Sequence, residues 1–126
     1  MSAHTSTTLE VIEEVASERG RQDIKWGEQN HPNGTGPNTT PVAEIVRGKR
    51  NMIVNRHFAF GLALQAKSAT DRHAKDGTVT YADILLEEVF EALAEEDTAK
   101  LRTELVQVAA VAVQWVEAID RAGASK

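Results

Sequence analysis

Apolar residues in this chain recur three and four positions apart, the spacing of a helical face, and no segment alternates at the two-residue period of a strand. Ile12, Val15, Arg19, Gln22 and Trp26 mark the first such stripe, apolar at its start and polar at its end, and predict a helix over about residues 8–26. The stretch that follows, Asn30-His31-Pro32-Asn33-Gly34-Thr35-Gly36-Pro37-Asn38, is dense in turn formers whose prolines and glycines oppose regular structure. Residues 30–41 therefore read as a loop and a candidate lid. Over residues 42–75 the apolar positions Ile45, Ile53, Phe58, Leu62 and Leu64 lie among many basic ones. This predicts one long helix or two short ones broken near Gly48 or Gly61.

Asp76-Gly77 marks a turn, and Thr80 with Asp83 three residues later forms a capping-box pattern that opens the next helix. On a wheel of ~100° per residue, Glu87, Glu88, Glu91 and Glu95 of that helix share one arc. Asp97 is placed to cap a last helix from Thr98 to about Arg121, with Gly123 as its stop. Leu101, Leu105, Val108, Ala109, Ala112, Val116 and Ile119 make its apolar face. The run Val106 to Val113 leaves almost no polar side, so the helix is expected to be covered all round. The expected fold is all-α, a bundle of four to five helices in a single domain over residues 1–126, with a flexible segment at 1–7. The two acidic helices are expected to pack antiparallel. Full cover in a chain of 126 residues suggests a second copy, as a homodimer or homotetramer with the site near a subunit boundary.

Composition narrows the function. A net charge of -5, from 14 Lys and Arg against 19 Asp and Glu, provides no global basic field for polymeric DNA or RNA. The chain has no cysteine, which removes disulfides, thiolate zinc sites and cysteine nucleophiles together and fits a reducing cytoplasm. Met1 to Thr8 has neither a basic start nor an apolar core of a signal peptide, and the longest apolar run falls far short of the ~20 residues that span a bilayer. A cytoplasmic location without membrane contact is expected. His31, His57 and His73 show no mutual ligand spacing, and Gly34-Thr35-Gly36 lacks the Gly-Lys-Ser/Thr of a phosphate-binding loop.

The acidic residues carry the chemistry. Glu87, Glu88 and Glu91 fall on one helical face, and Glu104 can join them from the next helix. A charged surface face is the ordinary meaning of such glutamates. Here, however, Glu104 and Gln107 stand in or beside a nearly continuous apolar segment, where an unpaired polar group costs ~1–3 kcal/mol and an unpaired carboxylate more. A hard divalent cation with oxygen ligands would satisfy them.

Glu87-Glu88-Val89-Phe90-Glu91, followed one helix later by Glu104-Leu105-Val106-Gln107, resembles the EExxE and ExxD signature of MazG-like all-α nucleoside triphosphate pyrophosphohydrolases. The segment Glu18-Arg19-Gly20-Arg21-Gln22-Asp23-Ile24-Lys25-Trp26-Gly27, leading into Gln29-Asn30-His31-Pro32, is similar to the same family. The resemblance implies cleavage of an NTP or dNTP between the α and β phosphates to a monophosphate and pyrophosphate, with Mg²⁺ or Mn²⁺ as cofactor. It also implies Glu87, Glu88, Glu91 and Glu104 as the metal-holding and catalytic residues. Gln107 stands where the family has Asp, and an amide lends a carbonyl oxygen but no negative charge. Three readings follow: Gln107 as a neutral ligand or orienter, Glu95 or Glu96 supplying the missing charge, or a nucleotide-binding or helical interaction protein with weak or no turnover.

Substrate contacts are open in the same way. Trp26 is either a core aromatic closing the first helix or a stacking surface for a base, with Gln22 reading the base edge and Lys25 reaching a phosphate. Arg50 and Arg56 are candidates for the outer phosphates, while Arg47, Lys49 and Lys67 read as ordinary solvent-facing charges.

Overall fold

The computed structural model describes residues 6–31, 33 and 56–124. Among them the chain is all-helical and contains no strand: α1 is Ser6–Trp26, α2 Arg56–Asp76, α3 Tyr81–Ala94 and α4 Thr98–Ala124. The expected loop beyond residue 33, the helix expected over 42–55 and Arg50 lie outside the described residues. The chain divides into two compact units, Met1–His31 with Ala110–Lys126, and Pro32–Ala109.

In the unit formed by residues 32–109, α2 packs on α3. The buried side chains are small where the helices meet: Ala59 and Ala63 on α2 and Ala92 on α3, joined by Leu101 at the start of α4. Alanines at such positions let two helix backbones approach closely, so the pair gains many weak dispersion contacts. The link between the helices is equally determined. Gly77 adopts φ +71°. Its N–H bonds the Ala74 carbonyl, and the Thr78 N–H bonds the His73 carbonyl at 2.8 Å. These two bonds are a Schellman ending, and the left-handed residue it needs is most easily a glycine.

The capping box read from Thr80 and Asp83 is present. The Thr80 hydroxyl accepts from the Asp83 N–H at 3.2 Å, and the Asp83 carboxylate accepts from the Thr80 N–H at 3.0 Å. Two further contacts clamp the end of α2 onto the start of α3. His73 Nδ1 lies 2.8 Å from Asp83 Oδ2, and the Thr70 hydroxyl donates to the Asp83 carbonyl at 3.2 Å. The hydrogen bond with His73, then the Thr80 N–H, hold the Asp83 carboxyl below its ordinary value. Its stabilising contribution is therefore present at neutral pH and is lost as pH falls through the folded value.

Several boundaries differ from expectation. Helix α2 runs unbroken through Gly61, and α4 continues past Arg121 and through Gly123 to Ala124. One glycine costs a helix only ~1 kcal/mol relative to Ala, too little to end one whose neighbours favour it. Helix α3 stops earlier than the wheel assumed, because Glu95 has extended backbone and serves as its C-cap residue. Asp97 caps α4 as expected, accepting from the Lys100 N–H at 2.9 Å.

In the other unit, Val11 is the buried residue of α1, while Ile12 and Val15 are 43% and 48% exposed. The helix is thus turned from the stripe that periodicity selected. Gly27, at φ +69°, closes α1 with an N–H bond to the Asp23 carbonyl at 2.8 Å. Along α4, Leu105 and Val106 are more than half exposed, so among the described residues that helix is not covered all round.

The α2–α3 link generates a prediction. Gly77→Ala and Thr80→Ala should each lower unfolding stability by about 1 kcal/mol, read as urea midpoints at pH 7. Gly61→Ala, at an ordinary helical position with open space around it, should leave the midpoint unchanged or raise it.

Candidate metal centre

The unit containing α2, α3 and the start of α4 carries an open cleft of about 600 Å³. Phe60, Ala63, Leu64 and Lys67 of α2 form one wall, and Glu91, Glu95, Glu96 and Glu104 line the other parts. Helix α3 supplies Glu91 because its capping box fixes where the helix begins and so where each carboxylate falls. Helix α4 supplies Glu104 because Asp97 sets its start three residues after α3 ends.

Glu87, Glu88, Glu91 and Glu104 form one electrostatic neighbourhood. Loss of water raises the carboxyl of Glu88 above its ordinary value, and Glu87 pushes it further in the same direction. Glu91 is raised by the same loss of water, then by Glu88, Glu87 and Glu104, with Lys67 acting against them. Glu104 is raised by loss of water, then by Glu95 and Glu88. Three carboxylate oxygens among the described residues, Glu88 Oε2, Glu104 Oε2 and, further along α4, Glu117 Oε1, are shut from solvent without a hydrogen-bond partner, and the first two share this neighbourhood. Buried carboxylate oxygens ordinarily have a partner, so both are suited to a cation.

The gathering is incomplete. Among the described residues no group of three or more acidic or histidine side chains stands close enough together to hold a metal ion. Gln107 is exposed on α4. Glu95 is partly committed elsewhere, since its Oε1 accepts from the backbone N–H groups of Glu96 and Asp97 at 3.1 and 3.0 Å. That weakens it as the source of extra negative charge.

The expected base-reading residues lie in the other unit. Gln22 and Trp26 line a separate depression with Arg19, Asp23, Gly27 and His31. Trp26 is 56% exposed, which does not fit a core role. Lys25 Nζ sits 4.7 Å from the centre of its ring, a cation–π contact that occupies one face. Arg19 donates to Gln22 Oε1 at 2.8 Å, so the acceptor of that amide is already engaged. The side chain of Arg56, the first residue of α2, is outside what the structure describes, as is all of Arg50.

No family model, curated protein or solved structure matches this chain.

From the sequence Lys67 reads as a solvent-facing charge, and Phe60 belongs to no motif. The structure puts both on the wall of the acidic cleft. The available signal was their seven-residue spacing, which places them on one face of α2. No helix among the described residues is long and apolar enough to cross a membrane.

The raised carboxyls predict an inverted acid response. A carboxyl raised in the folded state stabilises fully below its unfolded value, and that contribution is lost as pH rises through the folded value. Metal-free protein should therefore gain stability as pH falls from neutral toward the ordinary carboxylate range, before loss of the Asp83 contribution reverses the trend at lower pH. Glu104→Gln should raise the urea midpoint at neutral pH and flatten this gain. A midpoint that falls steadily from pH 7 downward would contradict it.

Proposed function

We propose that the protein is a metal-dependent nucleoside triphosphate pyrophosphohydrolase of the MazG-like type. The observation that carries the reading is the pair of buried, unpartnered oxygens, Glu88 Oε2 and Glu104 Oε2, brought from two helices into one acidic neighbourhood beside a cleft. The EExxE and ExxQ segments supply the same residues.

Glu87, Glu88, Glu91 and Glu104 would hold Mg²⁺ or Mn²⁺ through their carboxylate oxygens. Such an ion supplies charge neutralisation at the phosphates and a more acidic bound water. The glutamates contribute the rest. A carboxylate among them that does not bind the ion is placed to accept the proton that a hydrolytic water gives up. The water oxygen bonds to the α phosphorus, the bond from that phosphorus to the α–β bridging oxygen breaks, and pyrophosphate leaves with that oxygen. Gln107, exposed on α4, is not required as a ligand in this reading, and the negative charge comes from four glutamates. Assembly as a homodimer or homotetramer accords with the exposed Leu105, Val106 and Ile119 of α4.

The test is pyrophosphate release from each canonical NTP and dNTP with Mg²⁺ and with Mn²⁺. Turnover should require the metal and fall by about 100-fold or more in Glu88→Gln. Protein inert toward every nucleotide with both ions would remove the proposal and leave a helical binding protein.

A further inference from the structure

We infer that α2 forms the substrate wall of the acidic cleft, with Lys67 contacting the phosphate chain and Phe60 packing against the nucleoside. The inference rests on the pyrophosphohydrolase reading and gives it residues that the motif does not contain.

Phe60, Ala63, Leu64 and Lys67 follow one another at i, i+3, i+4 and i+7, so they form a single stripe along α2. All four line the cleft whose other parts carry Glu91 and Glu104. Phe60 is 60% exposed and Leu64 57%, although Ala59 and Ala63 beside them are buried. Exposed large apolar side chains are common here, Ile24 at 89% and Ile119 at 61% among them; Phe60 is set apart by lining the charged cleft. Ala63 between Phe60 and Leu64 is small, which leaves room above the helix for a flat group.

Lys67 stands two turns further on, about 10 Å along the axis from Phe60. It lines the same cleft as Glu91 and Glu104. Its ion pair with Asp71 is long, 3.7 Å, and exposed on both sides, a contact too weak to hold the ammonium away from the cleft. A cation with a flexible stem next to carboxylates is suited to a ligand that brings negative charge of its own, and a polyphosphate brings it beside the ion that the glutamates would hold. The order along α2 is thus apolar ring, small residue, cation. The matching order along a nucleotide is base, sugar, phosphates.

Calorimetric binding to the full chain with Mn²⁺ tests this, using inorganic tripolyphosphate and the α,β-methylene analogues of the four deoxynucleoside triphosphates. Lys67→Met should weaken tripolyphosphate and every bound analogue by about tenfold. Phe60→Ala should weaken the analogues to a similar degree and leave tripolyphosphate unchanged, and Phe60→Trp should restore them. Mn²⁺ binding alone and the thermal midpoint should be unchanged in both Phe60 variants.

Equal loss of tripolyphosphate and analogue affinity in Phe60→Ala would overturn the assignment of the ring, as would a change in sedimentation mass with analogue affinity unaltered. Unchanged binding in Lys67→Met would overturn the assignment of the cation. Wild-type protein that takes up Mn²⁺ but neither phosphate probe would overturn the inference and leave the metal centre standing. Protein that takes up neither Mn²⁺ nor analogue would remove the hydrolase reading and this one with it.

Discussion

Desolvated negative charge is the constraint on which the unit of residues 32–109 depends. Glu88 and Glu104 each keep one oxygen out of water with no hydrogen bond in exchange, and Glu91 lies in their field. A buried charge without a partner destabilises the fold, whereas the buried residues of α2 and α3 are alanines. A fold that carries such a group must hold it in place by stability gained elsewhere. Here that stability comes from close helix contact, the Schellman ending at Gly77 and the Thr80–Asp83 box.

The clamp at the α2–α3 junction and the acidic cluster are therefore two ends of one device. Asp83 spends its carboxylate on Thr80 and His73, so its charge is satisfied and its carboxyl is held down. One turn later Glu87 and Glu88 begin a series whose charges are left unsatisfied and whose carboxyls, at Glu88 and Glu91, are pushed up. Carboxylates of the same helix thus differ because of their surroundings: hydrogen-bond donors hold the first down, while loss of water and then neighbouring acids raise Glu88 and Glu91. The helix start is fixed by the satisfied acid, and that start decides where the unsatisfied ones fall.

The cleft adds an asymmetry that the acids alone do not have. One wall is charged and the other is a ring, a methyl group and an ammonium in sequence along α2. A simple charged surface would not need an apolar wall facing it. An amphipathic ligand that is anionic at one end matches both walls, and this is the common ground between the proposed hydrolase and a binding protein without turnover.

The sequence alone determined that the described chain is helical, where α3 opens and how α4 is capped, because these depend on spacing and on side chains two to four residues apart. It also singled out Glu87, Glu88, Glu91 and Glu104, whose motif is local. Other readings required distance information. The buried face of α1 proved to centre on Val11, because which side of a stripe meets the core depends on the partner helix. Gly61 and Gly123 did not interrupt their helices, since a propensity of about 1 kcal/mol is outweighed by helix-favouring neighbours. Lys67 and Phe60 acquired a possible task only when α2 was set against α3 and the start of α4. Exposure of Gln107, engagement of Glu95 by backbone donors and the orphaned oxygens of Glu88 and Glu104 were decided by tertiary structure alone, because solvent access and hydrogen-bond partners belong to the folded surroundings of a residue and not to its place in the chain.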